Sequence, residues 1–167
     1  MRVGEVAPDF RLPLNTGEDF RLSLQRGRKN VVLYFYPRDF TWGCSREGCL
    51  FSAHIKEIER LEAVIIGISA DHVESHMNFI REYDLAFPLA SDTDRIVCRE
   101  YGAEWLHGIA IRRLTYIIDK EGIIRGKTHH EIRINRHWDY VLRVLRELEV
   151  TRTQTAIFKN ASNENDH

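Results

Sequence analysis

Cys44 and Cys49 are the two residues of this 167-residue chain whose type and spacing most clearly permit chemistry. They lie in the stretch YFYPRDFTWGCSREGC, which follows an apolar run that ends in proline. A helix is predicted to begin near Thr41, which places Cys44 in the first turn, where unpaired N–H groups and the helix dipole favour a thiolate. A thiolate is the reactive form of cysteine. Cys44 is therefore a candidate nucleophile, with an inert buried cysteine as the alternative.

The spacing of Cys44 and Cys49 restricts what the pair can do. Five residues along one helix correspond to about 140° around the axis and ~7.5 Å along it. The two Cα atoms are then roughly 8–9 Å apart, beyond the ~7 Å limit for a disulfide. If the two cysteines bond, the helix must unwind locally, which would make the bond part of a redox cycle. Otherwise Cys49 is a small helix residue near the core.

The elements that must position these cysteines alternate between strands and helices. In chain order we predict a hairpin over 9–14 and 19–24, buried strands at 31–36 and 63–69, helices at about 41–62 and 73–83, a short helix at about 94–101, strands at 112–119 and 123–127, and a helix at 137–148. This order predicts a three-layer α/β domain over residues 1–150. The polar residues 151–167 are expected to form a frayed tail.

Composition and motifs exclude several classes of function. Lys and Arg number 24 against 25 for Asp and Glu, so no basic field exists to bind a nucleic acid or an anionic membrane. We expect a cytoplasmic protein, because there is no signal-peptide core and no run near the ~18 apolar residues of a membrane span. No cofactor or metal motif is present, and His72 and His76, which share a helix face, are expected to be solvated.

The residues Pro37 to Cys44, PRDFTWGC, resemble the PxxxTxxC active-site motif of peroxiredoxins. The four-residue gap to Cys49 is similar to that of the bacterioferritin comigratory protein, or peroxiredoxin Q, subfamily. The stretches GEVAPDF, LYFYPRDFT, FPLASD and RRLTYIIDKEG are also similar to that subfamily and occur in its order. The resemblance covers about residues 3–148. It implies a thioredoxin-like fold with a central mixed sheet.

The resemblance also implies an activity, the reduction of hydrogen peroxide and organic hydroperoxides. Cys44 would be the peroxidatic cysteine, which becomes a sulfenic acid. Cys49 would be the resolving cysteine, forming an intramolecular disulfide that a thioredoxin-like donor reduces. The subfamily further suggests a monomer or a weak homodimer.

Supporting roles follow from the same motif. Thr41 would offer its hydroxyl to the peroxide and the thiolate, and Pro37 would shield the nucleophile from water. The backbone N–H groups of Gly43 and Cys44 would bind the peroxide oxygens at the helix N-terminus.

Arg113 is the expected cation of the site, because Arg113 and Thr115 match the Arg-x-Thr-aromatic pattern of the family. Its guanidinium would stabilise the thiolate and the charge that grows on the leaving oxygen. Glu47 matches a family glutamate that orients this arginine. Arg112 is the competing candidate, and only one of two successive strand residues can point at Cys44.

The sequence leaves other interpretations of these cysteines open. A thioredoxin-type disulfide reductase, a non-catalytic redox sensor and a metal-binding module would each use Cys44 in a different way. Cys98 is a second candidate for the resolving cysteine. Trp42 stands where the family usually has proline, and we hypothesise that it restricts bulky hydroperoxides.

Overall fold

The computed structural model describes the backbone of residues 1–105, 108–129 and 134–164. The strands in these ranges are β1 (Arg11–Pro13), β2 (Asp19–Arg21), β3 (Asn30–Phe35), β4 (Ala63–Ser69), β5 (Leu89–Ser91), β6 (Glu104–Trp105), β7 (Ala110–Ile111), β8 (Leu114–Ile118) and β9 (Ile124–His129). The α-helices are α1 (Trp42–Ala53), α2 (Ile55–Arg60), α3 (Val73–Tyr83), α4 (Ile96–Glu100) and α5 (Ile134–Glu164), and a 3₁₀-helix spans Leu22–Gln25.

The central sheet contains five strands in the order β5, β4, β3, β8, β9. Its middle strand, β3, pairs in parallel with β4 and antiparallel with β8, so the sheet is mixed. Every residue of β3 is buried, as its continuous apolar run predicts for a strand covered on both faces. β1 and β2 form an antiparallel hairpin at the N-terminus. The predicted mixed sheet and N-terminal hairpin are therefore confirmed.

Alternate side chains of β3 enter two separate cores, one on each face of the sheet. Leu33 and Phe35 lie in the first core, together with residues of β1, β2 and α4. Tyr34 and Tyr36 lie in the second core, which α1, α2, α3 and α5 cover and which contains Cys44. This second core is termed the thiol core below. The two cores complete the predicted three-layer arrangement.

The helix predicted over 41–62 is two helices, so that prediction was wrong in its continuity. The break is at His54, where φ is −111° and ψ is 11° and where the backbone N–H bonds back to the carbonyls of Phe51 and Ser52. The imidazole of His54 stacks on Trp138 of α5, with ring centroids 4.5 Å apart. Apolar periodicity continues through the break because both helices face the thiol core, so the sequence pattern does not reveal it.

The last helix is longer than the predicted 137–148. No glycine or proline follows Leu148, and α5 continues through Glu164. Thr151, Thr153 and Thr155 donate their hydroxyls to the carbonyls four residues earlier, which satisfies these polar groups within the helix. The expected frayed tail is thus helical as far as Glu164, and residues 165–167 lie outside the described ranges. A domain boundary at residue 150 stays a prediction.

Although α5 has 31 residues, no helix of the described chain combines the length and apolar composition needed to cross a bilayer.

Candidate active site

Cys44 lies in the first turn of α1, as predicted, and its side chain is buried in the thiol core. Thr41 is the N-cap residue, with an extended backbone and no side-chain capping bond; its hydroxyl donates instead to the carbonyl of Arg38 at 3.2 Å. The N–H groups of the first turn therefore receive no cap from Thr41. Pro37 is half-buried in the preceding loop. This arrangement leaves helix N–H groups beside the thiol that could bind an anionic oxygen.

Arg113 contacts the thiol directly. Its Nη2 lies 3.1 Å from Sγ of Cys44, and only 7% of the arginine is exposed. Pairing of Phe35 with Leu114 in the β3–β8 register brings Arg113 to the end of β3 from which the chain enters α1. The charge of Arg112 acts instead on Tyr116, which lies in the first core. Of the two candidate arginines, the structure therefore brings Arg113 to Cys44.

Glu47 holds the other side of the guanidinium. It is one turn after Cys44, so the two side chains share a face of α1. Glu47 Oε2 accepts hydrogen bonds from Nη1 of Arg113 at 3.1 Å and from the hydroxyl of Tyr34 at 3.0 Å. Tyr34 also accepts from Nη1 at 3.3 Å. Glu47 is only 1% exposed, so its charge acts with little screening by water.

The pKa values of Arg113 and Tyr34 keep these two residues charged and neutral, respectively. Burial lowers the pKa of Arg113, but the opposing effect of Tyr34, Cys44 and Glu47 is larger. The pKa therefore lies above its usual value, and the guanidinium stays charged. Burial and the neighbouring Glu47 raise the pKa of Tyr34 well above its usual value. Tyr34 is therefore a neutral hydrogen-bond donor to Glu47. The cluster presents one cation to the sulfur of Cys44.

Gly43 makes room for the arginine. A Cβ atom at position 43 would lie 2.7 Å from Nη2 and 3.3 Å from Cζ of Arg113. Real Cβ atoms essentially never come as close as 2.7 Å to another heavy atom. A side chain at position 43 would therefore require the guanidinium to move from the position in which it contacts Cys44.

His137 of α5 completes the cluster and was not predicted from the sequence. Its Nδ1 lies 2.8 Å from Oε1 of Glu47, within ion-pair distance but outside the angles of a hydrogen bond, and both side chains are 1% exposed. Helical spacing could have indicated that His137 is buried. Val141 and Val144 follow it at four and seven residues, on the same helix face, and both are buried. A polar residue on an apolar helix face indicates a buried partner.

Cys49 is exposed, and it is not directed into the cluster. Its Sγ lies 3.9 Å from the carbonyl oxygen of Tyr83 at the end of α3. Cys44 and Cys49 are both free thiols here. Because α1 is continuous from Trp42 to Ala53, the helix separates the two cysteines as the spacing predicts.

Cys98 lies away from this site. It is fully buried in the first core, on the opposite face of the sheet from Cys44. Burial raises the pKa of Cys98 strongly, and Asp92 raises it further. A thiol in such surroundings is unreactive.

Trp42 begins α1 at the surface. It is 77% exposed, and the guanidinium of Arg46 lies 5.4 Å from its ring centroid, in the range of a cation–π contact. Trp42 and Arg46 are four residues apart, so their side chains are neighbours on one face of the first turns of α1.

A second buried polar cluster holds the loop between β3 and α1. Asp39 accepts hydrogen bonds from the hydroxyls of Tyr36 and Ser75, each at 2.7 Å, and Nδ1 of His76 lies 2.9 Å from its Oδ2. Burial raises the pKa of Asp39, but the hydrogen bond and charge of His76, together with the hydrogen bonds from Ser75 and Tyr36, outweigh it, so the pKa lies below its usual value. His76 is fully buried, so the expectation of a solvated His72–His76 face was wrong for His76.

Comparison with known proteins gives consistent matches. The family model described as the AhpC/TSA family matches residues 3–127. A bcp peroxiredoxin of Coxiella burnetii is 40% identical over 132 residues, covering 74% of this chain and 85% of the relative. The chloroplastic peroxiredoxin Q of Sedum lineare is 35% identical over 147 residues, covering 87% and 78%. The crystal structure of peroxidoxin BcpB from Mycobacterium tuberculosis superposes with a TM-score of 0.81 at 33% identity, covering 88% of this chain and 97% of that one.

Proposed function

Since the chain belongs to the AhpC/TSA family, with its thioredoxin-like fold, it is a thiol-dependent peroxidase, and we propose that Cys44 is its peroxidatic cysteine. The observation that carries this assignment is the 3.1 Å contact of Nη2 of Arg113 with Sγ of Cys44, whose side chain is buried in the first turn of α1. A guanidinium and the helix N-terminus both stabilise a sulfur anion there. The thiolate is the form that attacks peroxide.

In the proposed reaction, Sγ of Cys44 attacks one oxygen of the hydroperoxide. An S–O bond forms and the O–O bond breaks, so the sulfur is oxidised to a sulfenic acid. The other oxygen leaves with the bonding electron pair and takes up a proton, giving water from hydrogen peroxide or an alcohol from an organic hydroperoxide. The substrate is thereby reduced by two electrons.

The surrounding groups stabilise the negative charge that moves from sulfur to the leaving oxygen. Arg113 donates a hydrogen bond to the sulfur, and its planar guanidinium can also stabilise the charge on the leaving oxygen as the S–O bond forms. We expect the N–H groups of Gly43 and Cys44 to bind the peroxide oxygens, and the hydroxyl of Thr41 to turn from the carbonyl of Arg38 and join them. Pro37, half-buried in the loop before α1, would limit access of water to the thiol.

Resolution is proposed to use Cys49. Its sulfur attacks the sulfenic sulfur of Cys44, an S–S bond forms and the S–O bond breaks, and the hydroxyl leaves as water with the proton of the Cys49 thiol. Helix α1 must unwind for this step, because its geometry holds the two cysteines too far apart. The break at His54 separates α1 from α2, so α1 can unwind while Ile58 of α2 stays in the thiol core. A thioredoxin-like dithiol then returns the disulfide to two thiols.

Two further proposals concern the assembly and the location of the protein. We infer a monomer or a weak homodimer in the cytoplasm, where a reducing pool would keep Cys44, Cys49 and Cys98 as thiols. Sedimentation of the reduced protein at several concentrations tests the first statement, and fractionation of the source cells tests the second.

The assignment of Cys44 and Cys49 is tested by rapid mixing of reduced protein with hydrogen peroxide, followed by tryptophan fluorescence and mass spectrometry. We expect fast oxidation that ends in a Cys44–Cys49 disulfide. Cys44→Ser should abolish the reaction, and Cys49→Ser should keep fast oxidation but stop at the sulfenic acid. Oxidation of the wild type at the rate of a free thiol would disprove the proposed role of Cys44.

A further inference from the structure

His137 is buried against the carboxylate that holds the catalytic arginine. Its Nδ1 lies 2.8 Å from Oε1 of Glu47. The imidazole meets the rings of Tyr34 and Phe51 nearly edge-on, with centroids 6.5 and 6.1 Å away. Its neighbour Trp138 packs in the thiol core and stacks on His54. The ring of His137 is therefore held in place by packing on several sides, which is a requirement for a residue that orients another.

The two carboxylate oxygens of Glu47 contact different residues. Oε2 accepts from Nη1 of Arg113 and from Tyr34, whereas Oε1 is the oxygen that faces His137. A carboxylate that is held at only one oxygen can rotate about its terminal bond and take the other oxygen out of position. Contacts at both oxygens restrict this rotation. The position of Oε2, and with it that of Arg113, thus depends on the group at Oε1.

We propose that His137 is a positioning residue for the peroxidase reaction, acting on Cys44 through Glu47 and Arg113. This inference rests on the proposed role of Cys44. The path consists of the contacts His137 Nδ1 to Glu47 Oε1 at 2.8 Å, Glu47 Oε2 to Arg113 Nη1 at 3.1 Å, and Arg113 Nη2 to Cys44 Sγ at 3.1 Å. The imidazole itself exchanges no atoms or electrons with the substrate. Its role is to keep the guanidinium aimed at the sulfur.

Two substitutions separate the contact from the packing. His137→Leu fills much of the space but carries no polar atom, whereas His137→Asn places an amide group near the position of Nδ1. We expect His137→Leu to lower the second-order rate constant for oxidation of Cys44 by hydrogen peroxide about tenfold, and His137→Asn to recover most of this loss. Alkylation of Cys44 by iodoacetamide should slow in parallel, because the thiolate loses the same support.

A double-mutant cycle with Glu47→Gln tests the path itself. If His137 acts through Glu47, the two substitutions combine to less than the product of their separate effects on the oxidation rate. A residue that only supports the fold would give multiplicative effects. His137→Gln, whose amide lies one methylene further from the backbone, replaces His137→Leu in the cycle if the leucine variant does not fold.

His54→Asn is the matched control. His54 stacks on the same Trp138, but its own carboxylate neighbour is Glu57 at 4.0 Å, so the control perturbs the packing without touching Glu47. It should leave the oxidation rate unchanged. Equal losses in His54→Asn and His137→Leu, a multiplicative cycle or an unchanged rate in His137→Leu would each overturn the inference. Slow oxidation of the wild type would instead disprove the proposed function.

Discussion

Gly43 and Arg113 approach each other so closely that any side chain at position 43 would displace the guanidinium from its present position. A Cβ atom there would lie 2.7 Å from the nitrogen that contacts Sγ of Cys44. Helix interiors normally disfavour glycine by about 1 kcal/mol relative to alanine. The glycine is explained by the arginine that must pass beside it, since the helix itself gains nothing from it.

Gly43→Ala should therefore slow the oxidation of Cys44 while leaving the fold intact. The new methyl group displaces the guanidinium, and the loss of such a charged donor lowers the rate about tenfold or more. The free energy of unfolding should change by less than about 1 kcal/mol, since alanine favours the helix. Rapid-mixing oxidation and urea unfolding measure the two quantities.

Gly48→Ala provides the control for that experiment. It introduces the same methyl group into the same helix, but the new Cβ would meet Cδ2 of Leu85 at 3.0 Å instead of Arg113. It is expected to alter stability and to keep the oxidation rate. An unchanged oxidation rate in Gly43→Ala would mean that Arg113 can support Cys44 from a different position.

Arg46→Ala should accelerate formation of the disulfide. The contact of Arg46 with Trp42 stabilises the first turns of α1, and an exposed cation–π pair contributes about 0.5–1 kcal/mol. Its removal makes unwinding easier, so the resolution step should be about two- to fivefold faster. The oxidation step should not change. Arg143→Ala, which removes a similar contact with Tyr140 on α5, should affect neither step; acceleration in both variants would contradict the explanation.

Trp42→Pro tests whether the tryptophan restricts bulky substrates. Trp42 is 77% exposed, so any restriction must act at the entrance. We expect the ratio of oxidation rates with cumene hydroperoxide and hydrogen peroxide to rise in the variant. Trp105→Phe, at an exposed tryptophan of β6, should keep the wild-type ratio. If the ratio of the two oxidation rates were the same in Trp42→Pro and the wild type, the hypothesis would be wrong.

Asp39→Asn should destabilise the protein and change its response to acid. The pKa of Asp39 is lowered in the folded state, so its contribution to stability is complete above the pKa of the unfolded chain and is lost as the pH falls through the folded value. The wild type should therefore lose stability below about pH 4. At neutral pH the substitution should cost about 3 kcal/mol, because His76 loses a buried charged partner.

Urea unfolding over a series of pH values measures both effects of Asp39→Asn. The exposed Asp139, replaced in Asp139→Asn, serves as the comparison and should leave the unfolding free energy almost unchanged. If Asp39→Asn kept the full acid sensitivity of the wild type, another carboxylate would have to be responsible.

Cys98→Ala should leave both the oxidation and the resolution of Cys44 unaltered. Cys98 lies on the opposite face of the sheet, and burial raises its pKa. Loss of the buried sulfur should lower the unfolding free energy by about 1 kcal/mol. Mass mapping of the disulfide checks the pairing, and appearance of a Cys44–Cys98 disulfide in the wild type would contradict the assignment of Cys49.

Short-range preferences along the chain account for the local features of the site. The buried run of β3, Pro37 and the N-cap Thr41 follow one another along the chain, and they place Cys44 in a first helical turn through short-range preferences alone. Glu47 shares the face of Cys44 because of helical periodicity. Arg113 was found only through its resemblance to a family pattern, since 66 residues separate it from Glu47.

The distant residues that contact these local features are set by tertiary packing, which the sequence pattern does not reveal. Glu47 contacts His137 of α5. His54 ends α1, and its ring stacks on Trp138, which also lies on α5. Cys98 is placed on the far face of the sheet from the site. Each of these outcomes depends on how α5, α1 and α4 pack on the sheet. Periodicity indicates which face of an element is buried, but the partner across the interface is selected by side-chain packing and by the need of buried polar groups for partners.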